Sequence, residues 1–327
     1  MKISKKGQTL TIIINTRKFM RYYLIPFCTV LALIFVLLWT SSRGTGIPDS
    51  GTRDYYEGLR MAEAAHDMKV SKVQDDFEDF MDNCIKGQDI DTEDIAVGYY
   101  NFDTGIHYSL NTGRQMTAAS TYKLPLCMYV YDLLHSGRLS SSSALTFSQS
   151  CLYDSEGGIV SYGYWIGDKV PVLTLLKTTI TQSDNNAAHI LMNYLGGYKA
   201  YVEKIQKYTD ESPDLADYSR SRNNIRTAYM MDVLSYLYHH QDDYSTLICD
   251  MKEAAKNEYL QKYVSVPVAH KYGNLGQTEN DVGIVFCDSP YAIAVYTHGV
   301  DNAPDKIGRI NKAVLEFTDK YIEPLTN

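Results

Sequence analysis

Metal-type spacing is missing from this chain. Its six cysteines form no C-x-x-C pair and its eight histidines no H-E-x-x-H run, so neither a zinc cluster nor a metallopeptidase helix is encoded. No histidine stands as the partner of a serine and an acid, and no repeat is visible. We expect no metal and no organic cofactor. Acid is absent from residues 1–21, and charge of either sign is absent from 22–39. Of the cysteines, Cys28 lies in that uncharged run, and Cys84, Cys127, Cys151, Cys249 and Cys287 are an odd remainder. Cys127 and Cys287 sit in apolar stretches as small core residues. One disulfide is possible among the five, with no pair singled out.

What is present at the N-terminus matches those absences. Lys2, Lys5, Lys6, Arg17, Lys18 and Arg21 make 1–21 a basic tail. The apolar run at 22–40 is just long enough for a membrane-spanning helix. Its basic flank would stay in the cytoplasm and place the bulk of the chain outside the cell membrane. The alternative is a cleaved signal peptide, but the n-region is long and Thr40-Ser41-Ser42 lacks the alanine pattern of a cleavage site. Either reading exports the remainder.

Charge divides the chain at the same point. Six of its 31 basic residues precede Ser41, so 25 face 39 acidic residues beyond it, a net of −14. A surface so acidic is a poor partner for nucleic acid or anionic wall polymers, and no nucleic-acid partner is expected.

Residues 41–68 read as a linker, with Gly44, Gly46 and Pro48 as breakers and a short polar helix near 55–68. A globular domain is expected over 69–327. Val70, Val73, Phe77, Phe80 and Met81 recur at helical spacing. Residues 95–102 and 106–110 flank Asp103-Thr104-Gly105 as a hairpin. Helices are expected near 124–134, 172–179, 186–195, 198–208 and 227–239. Strands are expected at 266–271, 282–287 and 291–297, before a closing amphipathic helix at 307–321. A sheet built from early and late strands, with helices on its faces, is an α/β arrangement of the α+β sandwich type.

Three short signatures carry the chemistry. Ser120-Thr121-Tyr122-Lys123 places a hydroxyl and an amine three residues apart on one helix face. Lys123 is a base only if neutral, which requires desolvation or a nearby cation such as Lys271. Ser183-Asp184-Asn185 supplies a hydroxyl that could relay a proton, a structural acid and an amide that could hold a substrate. Lys271-Tyr272-Gly273 puts a cation on a strand whose glycine admits a close backbone. There the N–H groups of Asn274 and Ser120 could form an oxyanion hole. Each signature has an ordinary reading too: a helix cap at Ser120, another at 183–185 and a strand end with a bulge at Gly273. His270 is expected to face away from Lys271 along the strand. Together and in this order, the three point to serine acyl transfer with lysine as the base.

In that order the chain resembles the penicillin-recognising serine hydrolases, most closely class A β-lactamases and their serine-hydrolase relatives. The resemblance spans about 69–327 and includes the hairpin before Ser120, the run Glu156-Gly157-Gly158-Ile159-Val160 and the closing strands and helix. It implies a β-lactamase/transpeptidase-like fold, with an antiparallel sheet flanked by helices and an all-helical subdomain. It also implies Ser120 as nucleophile, Lys123 as general base and Ser183 as proton relay, with Asn185, Lys271, Tyr272, Gly273 and Asn274 binding substrate. The substrates implied are β-lactams or acyl-D-Ala-D-Ala peptides of the bacterial cell wall. Two departures stand out. The E-x-x-L-N pattern carrying the deacylating glutamate is missing, with only Glu211, Asp214 and Asp217 in the corresponding acidic stretch. Tyr272 also replaces the small hydroxyl residue that touches the substrate carboxylate in such enzymes. A D,D-peptidase, or a membrane-anchored sensor or binding module that is acylated once, are the competing readings. The lifetime of an acyl adduct separates them.

Overall fold

The computed structural model describes residues 2–6, 9–13, 50–209 and 224–326. The expected membrane span at 22–40 and the acidic stretch with Glu211, Asp214 and Asp217 lie outside them. Among the described residues no helix is long and apolar enough to cross a membrane.

The chain divides into two compact units, 1–65 and 66–327. In the first, β1 (Lys2–Lys6) and β2 (Thr9–Ile13) pair as an antiparallel hairpin. Helix α1 (Ser50–Gly87) begins there and ends in the second unit. The expected linker over 41–68 is therefore helical from Ser50 onward, and one helix replaces two. After Pro48 no proline interrupts the chain here, and Leu59, Arg60, Met61, Ala62, Glu63, Ala64 and Ala65 are all good helix formers.

The second unit continues through β3 (Ile95–Asn101), β4 (His107–Leu110) and β5 (Gln115–Thr117) to α2 (Lys123–His135). Then come β6 (Ala144–Thr146), α3 (Gly158–Ser161), β7 (Lys169–Pro171), α4 (Val172–Thr181), α5 (Asn185–Tyr194) and α6 (Gly197–Ile205). After residue 223 follow β8 (Asn224–Arg226), α7 (Thr227–His239) and α8 (Ser245–Glu253). The end of the chain is β9 (Val268–Leu275), β10 (Thr278–Val285), β11 (Tyr291–His298) and α9 (Ala303–Phe317).

Five strands form one antiparallel sheet in the order β4-β3-β11-β10-β9. Strand alternation divides β11 between two cores. Ala292, Ala294 and Tyr296 face the helical subdomain built on α2, α4, α5 and α7. Tyr291, Ile293 and Val295 face the terminal helices α1 and α9. Phe77 of α1 sits 4.5 Å from the Tyr99 ring and 5.1 Å from Phe317, closing that second layer. A sheet covered on both faces loses the simple apolar/polar alternation. The described cysteines are all unpaired, so the possible disulfide does not form among them.

The closing strands run longer than the apolar pattern suggests. The turn Gly276-Gln277 joins β9 to β10, and Lys271, Tyr272 and Gly273 lie inside a paired strand rather than at its end. Polar residues obscure this in the sequence, yet each finds a partner. Asn280 donates to the carbonyls of Thr117 and Ala118 at 2.7 and 3.2 Å. Asp281 accepts from His270 at 2.6 Å.

Candidate active site

Ser120 lies in a 3-10 turn, Ala119–Tyr122, and α2 begins only at Lys123. The S-x-x-K spacing thus bridges a tight turn and a helix start. Pro125 occupies the first helical turn, where its missing N–H costs nothing. The turn is anchored from below by Asn280, and from the side by Thr121 Oγ1, which donates to the Ala118 carbonyl at 2.8 Å. It also presses on β9. A Cβ on Gly273 would come within 2.8 Å of the Ser120 nitrogen and 2.9 Å of the Ala118 oxygen. Only glycine admits this approach, which sets β9 directly beside Ser120.

The Lys123 amine is the hub. It donates to Ser120 Oγ at 3.0 Å, to the Ser183 carbonyl at 2.5 Å and to Asn185 Oδ1 at 2.7 Å, with Ser183 Oγ at 3.4 Å. The side chain is fully buried. Burial brings its pKa down to about 7 against the opposing pull of Asp184 and Asp154. A neutral amine reverses the first contact, so that the Ser120 hydroxyl donates to the nitrogen lone pair. Lys271 Nζ reaches Ser183 Oγ from the other side at 3.0 Å. It too is fully buried, and burial together with Lys123 pushes its pKa well below the ordinary lysine value, with Asp281 opposing. One hydroxyl therefore sits between two amines, and charge on Lys123 disfavours charge on Lys271.

Ser183 reaches that position with φ +54°, a left-handed conformation that side chains rarely adopt. Ala119, one residue before Ser120, has φ +48°. Asp184 holds the second loop in place. Its carboxylate caps α5 by accepting from the Asn186 and Ala187 N–H groups at 2.9 and 3.3 Å, and it accepts from Ile159 N–H at 2.6 Å. Gly158 packs so closely on this carboxylate that a Cβ would fall 2.2 Å from Asp184 Oδ2. The Glu156–Val160 run is thus the platform under the second motif.

The nearby residues missed in the sequence are Asp154 and Asn186. Asn185 donates its amide N–H to Asp154 Oδ2 at 2.9 Å. Asn186 ties the same segment down by accepting from Tyr153 and Asp154 N–H groups and donating to the Asp154 carbonyl. No local pattern marks either one, because each partner lies more than thirty residues away.

On β9 the hairpin turn sets Leu275 opposite Thr278 as a hydrogen-bonded pair, and the pairing alternates from there. Asn274 then turns its N–H to the open edge beside Ser120. The Asn274 side chain itself is engaged with Glu279. His270 faces away from Lys271, buried between Asp281 and the Ala254 carbonyl. Tyr272, expected as a substrate contact, stacks its ring on Tyr259 and lies 4.0 Å from Lys271 Nζ. Ser120, Lys123, Ser183, Asn185, Lys271 and Gly273 thus meet at one place, with no cluster of potential metal ligands among the described residues.

The fold matches known structures. PBP-A superposes with a TM-score of 0.64 at 18% identity, over 74% of this chain and 96% of that one. A β-lactamase from Sphaerobacter thermophilus gives 0.61 at 20%, over 69% and 91%. One from Xanthomonas campestris gives 0.63 at 19%, over 75% and 98%. No curated protein sequence matches the chain. The family model described as the β-lactamase enzyme family matches residues 76–318, which include all three signatures. On that match, together with the sheet order and the serine–lysine cluster, the chain belongs to the β-lactamase enzyme family.

Proposed function

We propose that the chain is a serine hydrolase that acts through an acyl-enzyme at Ser120 on β-lactam or acyl-D-Ala-D-Ala-like amides, with slow turnover. The observation that carries this reading is the buried relay from Ser120 through Lys123 to Ser183 and Lys271. Neutral Lys123 takes the Ser120 proton as Oγ attacks the carbonyl carbon. The N–H groups of Ser120 and Asn274 receive the oxyanion. Ser183 passes its own proton to the departing nitrogen and is recharged from Lys123. The C–N bond breaks and the acyl group stays on Ser120. Asn185 holds the acyl-side amide. A solved acyl-enzyme complex of a PBP-A mutant with penicillin G, 18% identical over 76% of this chain, shares the fold.

Slow turnover is what the missing E-x-x-L-N pattern supports, since its glutamate would activate the deacylating water. Among the described residues no carboxylate hydrogen-bonds the Ser120 hydroxyl, and Glu211, Asp214 and Asp217 lie outside them. The missing glutamate pattern also favours the D,D-peptidase reading. We further place the domain outside the cell membrane, anchored by residues 22–40. Intact mass of the protein after penicillin addition tests the function, with Ser120→Ala alongside. A Ser120-dependent adduct supports it, and an adduct unchanged in Ser120→Ala sinks it.

A further inference from the structure

Lys271 is the amine nearest the leaving-group hydroxyl of Ser183. A lysine amine has at most three N–H donors to offer. One goes to Ser183 Oγ at 3.0 Å and one to the Tyr272 carbonyl at 2.6 Å. The Tyr272 ring covers the amine at 4.0 Å, and Lys271 is 0% exposed. None of the amine is therefore presented to an incoming anion.

Tyr272 is also fixed. Its ring stacks on Tyr259 with centroids 5.3 Å apart and planes 23° from parallel. Tyr259 in turn donates its hydroxyl to Glu279. The Tyr272 ring lies 4.0 Å from Lys271 Nζ, which itself donates to Ser183 Oγ at 3.0 Å, so the phenol stands beside the hydroxyl that the leaving group must approach. Burial, together with the nearby Glu258 and Asp281, raises the pKa of that phenol and keeps it neutral. A carboxylate brought here would lose its water without gaining a cationic partner, which is a heavy penalty for a buried charge.

We propose that Tyr272 closes the leaving-group side of the site to anions, so that the chain acylates from amides and esters whose leaving group carries no free carboxylate. This rests on the acyl-enzyme reading above and narrows its substrate class to β-lactams and amides whose leaving-side carboxylate is esterified, amidated or absent, with free-acid penicillins and acyl-D-Ala-D-Ala peptides as slow substrates. The step itself balances without a charged leaving group. The Ser120 Oγ–C bond forms as the C–N or C–O bond breaks. The Ser120 proton goes to Lys123, and Ser183 supplies the proton that leaves with the amine or alcohol.

Benzylpenicillin and its methyl ester carry the same acyl group and differ only at the carboxylate, so their Ser120 acylation rates isolate this feature. The rates are read by intact mass on the full chain in detergent. Wild-type protein should react with the ester at least as fast as with the free acid. Tyr272→Thr, which removes the ring from Lys271, should shift the acid-to-ester ratio toward the acid by about tenfold or more, as one regained charged hydrogen bond would. Tyr272→Phe, which keeps the ring, should stay close to wild type. A wild-type preference for the acid of about tenfold or more overturns the proposal. So does an unchanged ratio in Tyr272→Thr. A neutral alkyl fluorophosphonate reports the nucleophile separately. If it fails to label Ser120 in wild-type protein, the acyl-enzyme reading falls and this proposal falls with it. If it labels Ser120 while either penicillin result goes the wrong way, only this proposal falls.

Discussion

Acylation of Ser120 should follow the titration of a buried lysine. An ordinary lysine at 10.5 is neutral at pH 7 in only about one molecule in 3,000. With its pKa brought to about 7 by burial, Lys123 is neutral in about half. The acylation rate should therefore rise about tenfold per pH unit below 7 and level off above it. Asn185→Asp is the informative perturbation. It keeps the side-chain shape and puts a carboxylate where Oδ1 now accepts from Lys123 Nζ at 2.7 Å. A unit charge about 4 Å away in a medium of effective dielectric about 20 is worth about 4 kcal/mol. That is about 3 pKa units in favour of the protonated amine, which moves the inflection to about pH 10. The assay is the rate of Ser120 labelling by a neutral fluorophosphonate across about pH 5 to 10. The midpoint is the readout, since Asn185 also touches substrate and the plateau will fall as well. A flat wild-type profile, or a midpoint that stays near 7 in Asn185→Asp, would refute Lys123 as the base.

Three further outcomes are expected. Gly273→Ala forces a Cβ to within 2.8 Å of the Ser120 nitrogen, so acylation should fall by about 100-fold and stability by about 1–3 kcal/mol; an unchanged labelling rate would show that β9 does not position the nucleophile. Asp184→Ala removes the acceptor for three N–H groups, so denaturant unfolding should show a loss of about 2–3 kcal/mol, and a loss under about 0.5 kcal/mol would contradict the capping role. The third concerns the buried amine of Lys123, whose folded pKa of about 7 lies below the unfolded value. The unfolded chain then binds more protons between those values, so wild-type stability rises with pH from about 7 to about 10.5. Lys123→Met escapes that cost and should be more stable than wild type by about 2 kcal/mol at pH 7, after the hydrogen bonds lost at Asn185 and Ser183, with the gain shrinking toward pH 10. Paired unfolding curves at both pH values check it, and a less stable variant at pH 7 would reverse the argument.

The chemistry was legible where it is local. Ser120 and Lys123 lie three residues apart, and Ser183 and Asn185 flank a helix cap whose residue types announce it. Helical periodicity found α4, α5 and α7, and clusters of β-branched and aromatic residues found β3 and β11. The misses lie where partners are distant or where two environments meet. The turn at Ala119–Tyr122 depends on Asn280, far along the chain, and nothing near Ser120 foretells it. Strand β9 extends to Leu275 because Asn280, Asp281 and Glu279 on β10 satisfy one another's neighbours, a pattern that resembles a loop in one dimension. Residues 50–68 lack the apolar stripe of a packed helix, so their helical propensity alone marks α1 there. The Tyr272 ring over Lys271 was hidden as well, because a strand residue's identity does not tell how its side chain folds along the edge.

The left-handed backbone at Ala119 and Ser183 makes loss of function an easy evolutionary path. Each residue holds a conformation that costs a side-chain-bearing residue about 1–2 kcal/mol relative to glycine. A descendant freed from acyl transfer could place glycine at either position and relax the loop. Selection for abundance would then favour the silent copy over the working one. On the acyl-transfer reading, the strain at Ser183 is the cost of holding its hydroxyl between Lys123 and Lys271.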